Sequence, residues 1–137
     1  MLTTRREVTI EWGDCDPAGI VFFPRYFAMF DWSTWTHFAR VGLVKQELVK
    51  THGIVGCPLV DTGSKFMIPS RYGDVVHIDT AITEFRRSSF TVRHRLMRGE
   101  ALAVEGTEVR VWAAQDLENP ERIKAVPIPQ EVIDRLK

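Results

Sequence analysis

Between Pro24 and Gly42 the chain offers a helix with no wholly polar side. Pro24 suits a first helical position, where a missing N–H costs nothing. Gly42 suits the residue beyond a C-terminus, so the pattern predicts a helix from Pro24 to about Val41. Tyr26, Phe27, Met29, Phe30, Trp32, Trp35, Phe38 and Val41 occupy more than one side of it. A helix lying on a protein surface buries a single stripe. This one calls for a sheet against one side and a second surface, most simply a partner subunit, against another.

What surrounds the helix reads as strand. Glu7 to Trp12 alternates, with Val8, Ile10 and Trp12 on one face, and predicts a half-buried strand. Gly13 to Gly19 reads as loop. After a short helix over about Val44 to Thr51 come Ile54 to Ile68, with a bend near Pro58 or Gly63, then Val75 to Phe85 and Phe90 to Met97. A hairpin at Arg86-Arg87-Ser88-Ser89 joins the last two. Ala101 to Ala114 predicts a further long strand, Ile123 to Val126 a short edge strand and Pro129 to Leu136 a terminal helix. One strand, one long helix and at least four strands on short turns make an α+β chain, with an antiparallel sheet wrapped around one long central helix. With 137 residues and no repeat or linker, a single domain over 1–137 is expected.

Charge narrows the partners. Eighteen basic residues against eighteen acidic ones leave no electrostatic footprint for nucleic acid or a membrane surface. Pro24, Arg25, Asp31 and His37 interrupt the most apolar window, Ile20 to Ala39, which argues against a membrane span. The first residues lack the apolar core of a signal peptide, and a cytoplasmic protein is expected. Cys15 and Cys57 make neither a disulfide framework nor a metal set. His37, His52, His77 and His94 show no ligand spacing, so no metal site is expected.

The chemistry concentrates in Gly13-Asp14-Cys15-Asp16-Pro17-Ala18-Gly19-Ile20-Val21. Asp in such a loop readily bonds its own backbone, and that reading fits Asp14. A phosphoryl-transfer aspartate would belong to a longer alternating α/β chain, and a calcium loop would need more oxygen ligands in sequence. Asp16 gains interest from the helix start that comes after it. Phe23 has no side-chain acceptor with which to cap the helix. The first amides, at the positive end of the helix dipole, are therefore open to a ligand oxygen. A carbonyl oxygen becoming an oxyanion suits that place, and Ala18 and Gly19 leave room for it to approach.

That stretch, with Tyr26 and Asp31, resembles the signature of the hotdog-fold acyl-CoA thioesterases. Gly53-Ile54-Val55-Gly56, Asp74-Val75, Arg86-Arg87, Ser89-Phe90, Arg93-His94 and Glu108-Val109-Arg110-Val111 extend the likeness over nearly the whole chain. They direct it toward the aryl-CoA branch, the bacterial 4-hydroxybenzoyl-CoA thioesterases. The resemblance implies a hotdog fold and a homodimer that joins two sheets, often doubled to a homotetramer, with sites at subunit interfaces. It implies hydrolysis of an acyl-CoA, probed best as an aromatic one such as 4-hydroxybenzoyl-CoA, with no cofactor beyond the coenzyme A of the substrate. By the same likeness Asp16 is the catalytic carboxylate, either attacking the thioester or activating water, and the Phe23 N–H polarises the carbonyl.

For binding, the likeness assigns Asp31 to a ring hydroxyl, and Gly19, Phe22 and Cys57 to the acyl pocket. It assigns Arg86, Arg87, Ser88 and Ser89 to the CoA phosphates, and Arg122 and Lys124 are further cations of the sequence that could supplement them. Read without it, Asp31 is a solvent-facing acid and the arginines a solvated turn. The sequence departs from its aryl-CoA relatives at Ser88, where they have Lys, and at Cys57, where they have Thr. Three other readings stay open. One is a thioesterase for short-chain or other aryl acyl groups, and one is an acyl-CoA-binding hotdog protein without turnover. The third is a dehydratase-like member, which would pair a His with its acid; no His lies near Asp16 in sequence.

Overall fold

Alternation in the sequence becomes a sheet with one buried face. The computed structural model describes residues 1–137. Five strands, β1 (Thr3–Thr9), β3 (Leu59–Phe66), β4 (Val75–Phe85), β5 (Ser89–Arg98) and β6 (Ala101–Val111), form an antiparallel sheet in the order β1-β4-β5-β6-β3. The long helix α1 (Phe23–Arg40) lies across it, touching β1, β4 and β5. A second sheet, β2-β7-β8, joins Ile54–Gly56, Ala113–Gln115 and Ile123–Ala125, while α2 (Lys45–His52) and α3 (Gln130–Leu136) close that end. The expected antiparallel sheet around one long helix is what forms.

The buried face carries apolar residues at both ends and a polar belt between them. One cluster contains Tyr26, Phe30, Ile78, Leu96 and Val104; the other contains Phe38, Ile82, Phe90, Val92 and Trp112. Between them lie Thr34 and His37 on α1, Thr80 on β4, His94 on β5 and Glu108 with Arg110 on β6, all buried. The pairing register sets this level, with Thr80 opposite His94 and His94 opposite Gly106. At Gly106 a Cβ would collide with the Phe30 ring. Glycine there lets Phe30 stack on the His94 ring at 4.8 Å, nearly parallel.

Four expectations need correction. The first strand ends at Thr9, and Trp12 is 77% exposed. Ile10 still bonds into the Arg71–Asp74 turn through the Asp74 carbonyl and the Gly73 N–H, after which the chain enters a 3-10 turn, Trp12–Asp14. Ile54 to Ile68 is two strands in two sheets, because the chain crosses between them at Cys57-Pro58. Ala101 to Ala114 divides likewise at Trp112, whose N–H bonds the Ser88 carbonyl outside the ladder. The helix begins one residue early, with Phe22 as N-cap, Phe23 first and Pro24 second. Pro is tolerated there because that N–H also lacks an intrahelical partner.

The outer side of α1 is not covered within the chain. Trp32 is 68% and Phe23 57% exposed. Strand β3 is a sheet edge, exposed along most of its length, with Leu59, Val60 and Phe66 all open. No helix is long and apolar enough to cross a membrane.

Candidate active site

The loop before α1 is closed on itself like a small hairpin. Phe22 N–H bonds the Asp14 carbonyl at 2.8 Å, and Asp16 N–H bonds the Ile20 carbonyl at 2.9 Å. Asp14 also takes the Glu11 N–H on Oδ2 at 2.9 Å, reciprocating a bond from its own N–H to Glu11. At the tip, Gly19 N–H bonds the Asp16 carbonyl at 2.9 Å, with Gly19 at φ +82°, a left-handed conformation that favours glycine. Asp16 Oδ1 takes the Ala18 N–H at 2.9 Å. Its Oδ2 has no partner in the chain, so half of the carboxylate is free. Asp16 lines a cleft with Cys15, Pro17 and Gly19, walled by Trp12 and Tyr72, whose rings meet edge to face at 5.8 Å.

Seven residues on, the helix start is bare. Phe22 is extended and offers no side-chain cap. Arg25 N–H turns back to the Phe22 carbonyl at 2.8 Å and Pro24 has no N–H, while Phe23 N–H finds no acceptor. That donor sits at the positive end of an 18-residue helix. Phe23 borders an apolar cleft with Ile20, Val21, Tyr26, Phe66 and Met67. Asp16 and Phe23 therefore line neighbouring clefts of one chain, the first bordered by Gly19 and the second by Ile20.

Asp31 lies two turns further along α1 and is not simply solvated. Its Oδ1 takes a 2.7 Å bond from Arg110 Nη2, with Asp31 half exposed and Arg110 buried. Arg110 also donates to Glu108 from Nε and Nη2, each at 3.0 Å, and from Nη1 to the Cys57 carbonyl at 3.0 Å. Glu108 Oε1 takes the Thr34 hydroxyl at 2.5 Å and faces His94 Nε2 at 3.2 Å; His94 Nδ1 meets Thr80 Oγ1 at 2.8 Å. Burial alone would raise the Glu108 carboxyl, yet the hydrogen bonds from His94 and Arg110 outweigh it and hold it at about 2. Arg110, conversely, is raised, because its bonds to Glu108 and Asp31 outweigh its burial. Asp31 opens onto a cleft lined by Trp32, Trp35, Thr36, Val44 and Lys45, with the Lys45 ammonium 4.7 Å from the Trp35 ring centre.

The remaining candidates are dispersed. Cys57 is buried, and burial pushes its thiol up to about 12; its backbone, not its side chain, meets the Asp31 group. Phe22 is 49% exposed and stacks edge-on against Phe23. Arg86 and Arg87 are exposed at the β4–β5 turn, and Arg86 pairs with Glu84 at 3.0 Å. Ser88 and Ser89 give carbonyls to Trp112 and Arg86. The histidines sit apart: His52 near Glu131, His77 near Glu7, and His37 and His94 in the belt.

Sequence reasoning missed the Arg110–Glu108 pair. Its signal was present in β6, where the alternation that buries Val104 and Gly106 also points Glu108 and Arg110 inward. Charges at inward positions of a strand announce a polar network.

A family model described as "Thioesterase-like superfamily" matches residues 10–136. The 4-hydroxybenzoyl-CoA thioesterase of Pseudomonas sp. (strain CBS-3) is 40% identical over 131 residues, covering 91% of each chain. Among solved structures, an aspartate-to-asparagine mutant of 4-hydroxybenzoyl CoA thioesterase complexed with 4-hydroxybenzoyl CoA superposes with a TM-score of 0.91 at 34% identity, covering 98% of this chain and 99% of that one. A gentisyl-coenzyme A thioesterase superposes at 0.82 and 29%, covering 97% and 98%. The chain belongs to the thioesterase-like superfamily and is a hotdog-fold thioesterase.

Proposed function

We propose that the protein hydrolyses an aromatic acyl-CoA carrying a ring hydroxyl, 4-hydroxybenzoyl-CoA being the substrate that fits best. The observation that carries this reading is the placement of Asp31 on the same ridge of α1 as Phe23, in a chain 40% identical to a 4-hydroxybenzoyl-CoA thioesterase. Phe23, Phe27 and Asp31 succeed one another at i, i+4 and i+8, so the first amide and the acid lie about 12 Å apart along the axis. A para-hydroxybenzoyl group spans about 6 Å from carbonyl to ring oxygen, and a hydrogen bond of about 2.9 Å at each end makes up a matching length.

In this reading the thioester carbonyl accepts the free Phe23 N–H, and the helix dipole favours the charge that develops on it. Asp16 uses its unbonded oxygen to attack the carbonyl carbon or to take a proton from an attacking water. By direct attack the C–S bond breaks as a mixed anhydride forms and coenzyme A leaves as thiolate; water then hydrolyses the anhydride to release the acid and restore Asp16. By the water route the C–S bond breaks after water adds, and coenzyme A leaves as thiolate with the acid. Gly19 and Phe22 border the approach, Cys57 backs the Asp31 end of the acyl pocket, and Arg86, Arg87, Ser88 and Ser89 meet the CoA phosphates. No cofactor is needed for these steps.

A second copy of the chain completes the site. The separate clefts of Asp16 and Phe23, the open edge of β3 and the exposed Trp32 support a homodimer that joins two sheets, doubled in turn to a homotetramer. Asp31→Asn tests the substrate assignment. The preference for 4-hydroxybenzoyl-CoA over benzoyl-CoA, as the ratio of kcat/KM values, is expected to fall at least about tenfold, since a hydrogen bond to a charged acceptor is lost. An unchanged ratio would remove Asp31 from ring recognition.

A further inference from the structure

The Asp31 carboxylate is gripped from behind by a group whose own charge is already balanced. Glu108 binds Arg110 through both carboxylate oxygens, so a buried ion pair is complete without Asp31. Arg110 nevertheless extends Nη2 outward to Asp31 Oδ1 at 2.7 Å, the shortest of its four bonds. Three anchors immobilise the guanidinium: the two Glu108 oxygens and the Cys57 carbonyl, each at 3.0 Å. Glu108 is itself fixed by Thr34 and faces His94, which Thr80 holds. The arrangement runs unbroken from the middle of the core to the rim of the Trp35 cleft.

We propose that Arg110 is a positioning residue for ring recognition. It locks Asp31 Oδ1, so that Oδ2 is presented at a fixed angle to accept the O–H of a phenolic acyl group. This deepens the assignment of Asp31 to the ring hydroxyl and rests on it. A half-exposed aspartate on a helix would otherwise sample several rotamers, and fixing it in advance removes the ordering cost from the binding step. The contact pattern needs arginine. A planar fork can serve Glu108, the Cys57 carbonyl and Asp31 together, whereas the compact ammonium of lysine cannot span them.

The test is a cycle of Arg110→Lys, Asp31→Asn and the double variant, assayed for thiol release from 4-hydroxybenzoyl-CoA and benzoyl-CoA. Arg110→Lys is expected to lower the preference for the hydroxylated ester about fivefold or more. In the Asp31→Asn background the same change should lower it no further, which a general loosening of the fold would not produce. The wild-type protein gives a second measurement, its crystal structure with 4-hydroxybenzoate. The inference expects the ring hydroxyl on Asp31 Oδ2 with Oδ1 still on Arg110. A preference lowered by Asp31→Asn but untouched by Arg110→Lys, or a bound hydroxyl on an Asp31 turned away from Arg110, overturns this inference alone. A preference that neither variant changes, or a hydroxyl bound elsewhere, overturns the reading of Asp31 and this inference with it.

Discussion

Asp16→Asn is expected to reduce thiol release from 4-hydroxybenzoyl-CoA by about 10³-fold or more, in the range for losing a positioned acid–base or nucleophilic group. The substitution is close to isosteric and spares what Asp16 does for the fold. Its Oδ1 accepts the Ala18 N–H, its carbonyl accepts the Gly19 N–H and its N–H donates to Ile20. An amide oxygen can keep the first, and the other two are backbone. What asparagine lacks is the charge and the nucleophilic oxygen. Thermal melting should therefore stay near wild type while turnover collapses, and equilibrium binding of the ester should persist. A variant that turns over at the wild-type rate would remove Asp16 from catalysis.

The second large effect concerns the belt. Glu108→Leu leaves the buried Arg110 guanidinium with only a half-exposed acid and a carbonyl for partners. Breaking a buried pair from one side costs about 4 kcal/mol, or a fall in Tm of roughly 10–15 °C for a domain of this length. Removing both charges in Glu108→Leu/Arg110→Met should recover at least about half of that loss, because no unpaired buried charge remains. Thermal denaturation of the three proteins checks it. Equal destabilisation in the single and double variants would show that the pair matters for shape rather than for charge.

The sequence made the long helix plain because apolar residues on several sides of one segment leave little choice of architecture. The strands from Val75 to Met97 were equally plain, since their period-two pattern is matched by burial on one face of the sheet. The breaks at Cys57-Pro58 and Trp112 were harder to read. Both segments keep their apolar pattern across the change of sheet, and only the partner strand differs. Trp12 misled for a related reason. It continues the alternation of Val8 and Ile10, but the reciprocal bonds of Glu11 and Asp14 turn the backbone before it can continue the strand.

For the site, local chemistry carried further than long-range chemistry. The acids of the loop, the glycine at its tip and the missing cap before Pro24 are neighbours in sequence, so their relation could be argued from spacing. Asp31 and Arg110 are 79 residues apart. Nothing local in α1 distinguishes a solvated Asp31 from one held by a buried guanidinium; the register of β6 against β5 decides it.

The most direct measurement is thiol release by the purified wild-type protein from a panel of 4-hydroxybenzoyl-CoA, benzoyl-CoA and acetyl-CoA. The proposed function predicts the highest kcat/KM for 4-hydroxybenzoyl-CoA, with benzoyl-CoA at least about tenfold lower for want of a hydroxyl to meet Asp31 and acetyl-CoA lower again. Equal turnover of all three, a preference for acetyl-CoA, or binding without thiol release from any of them would contradict it.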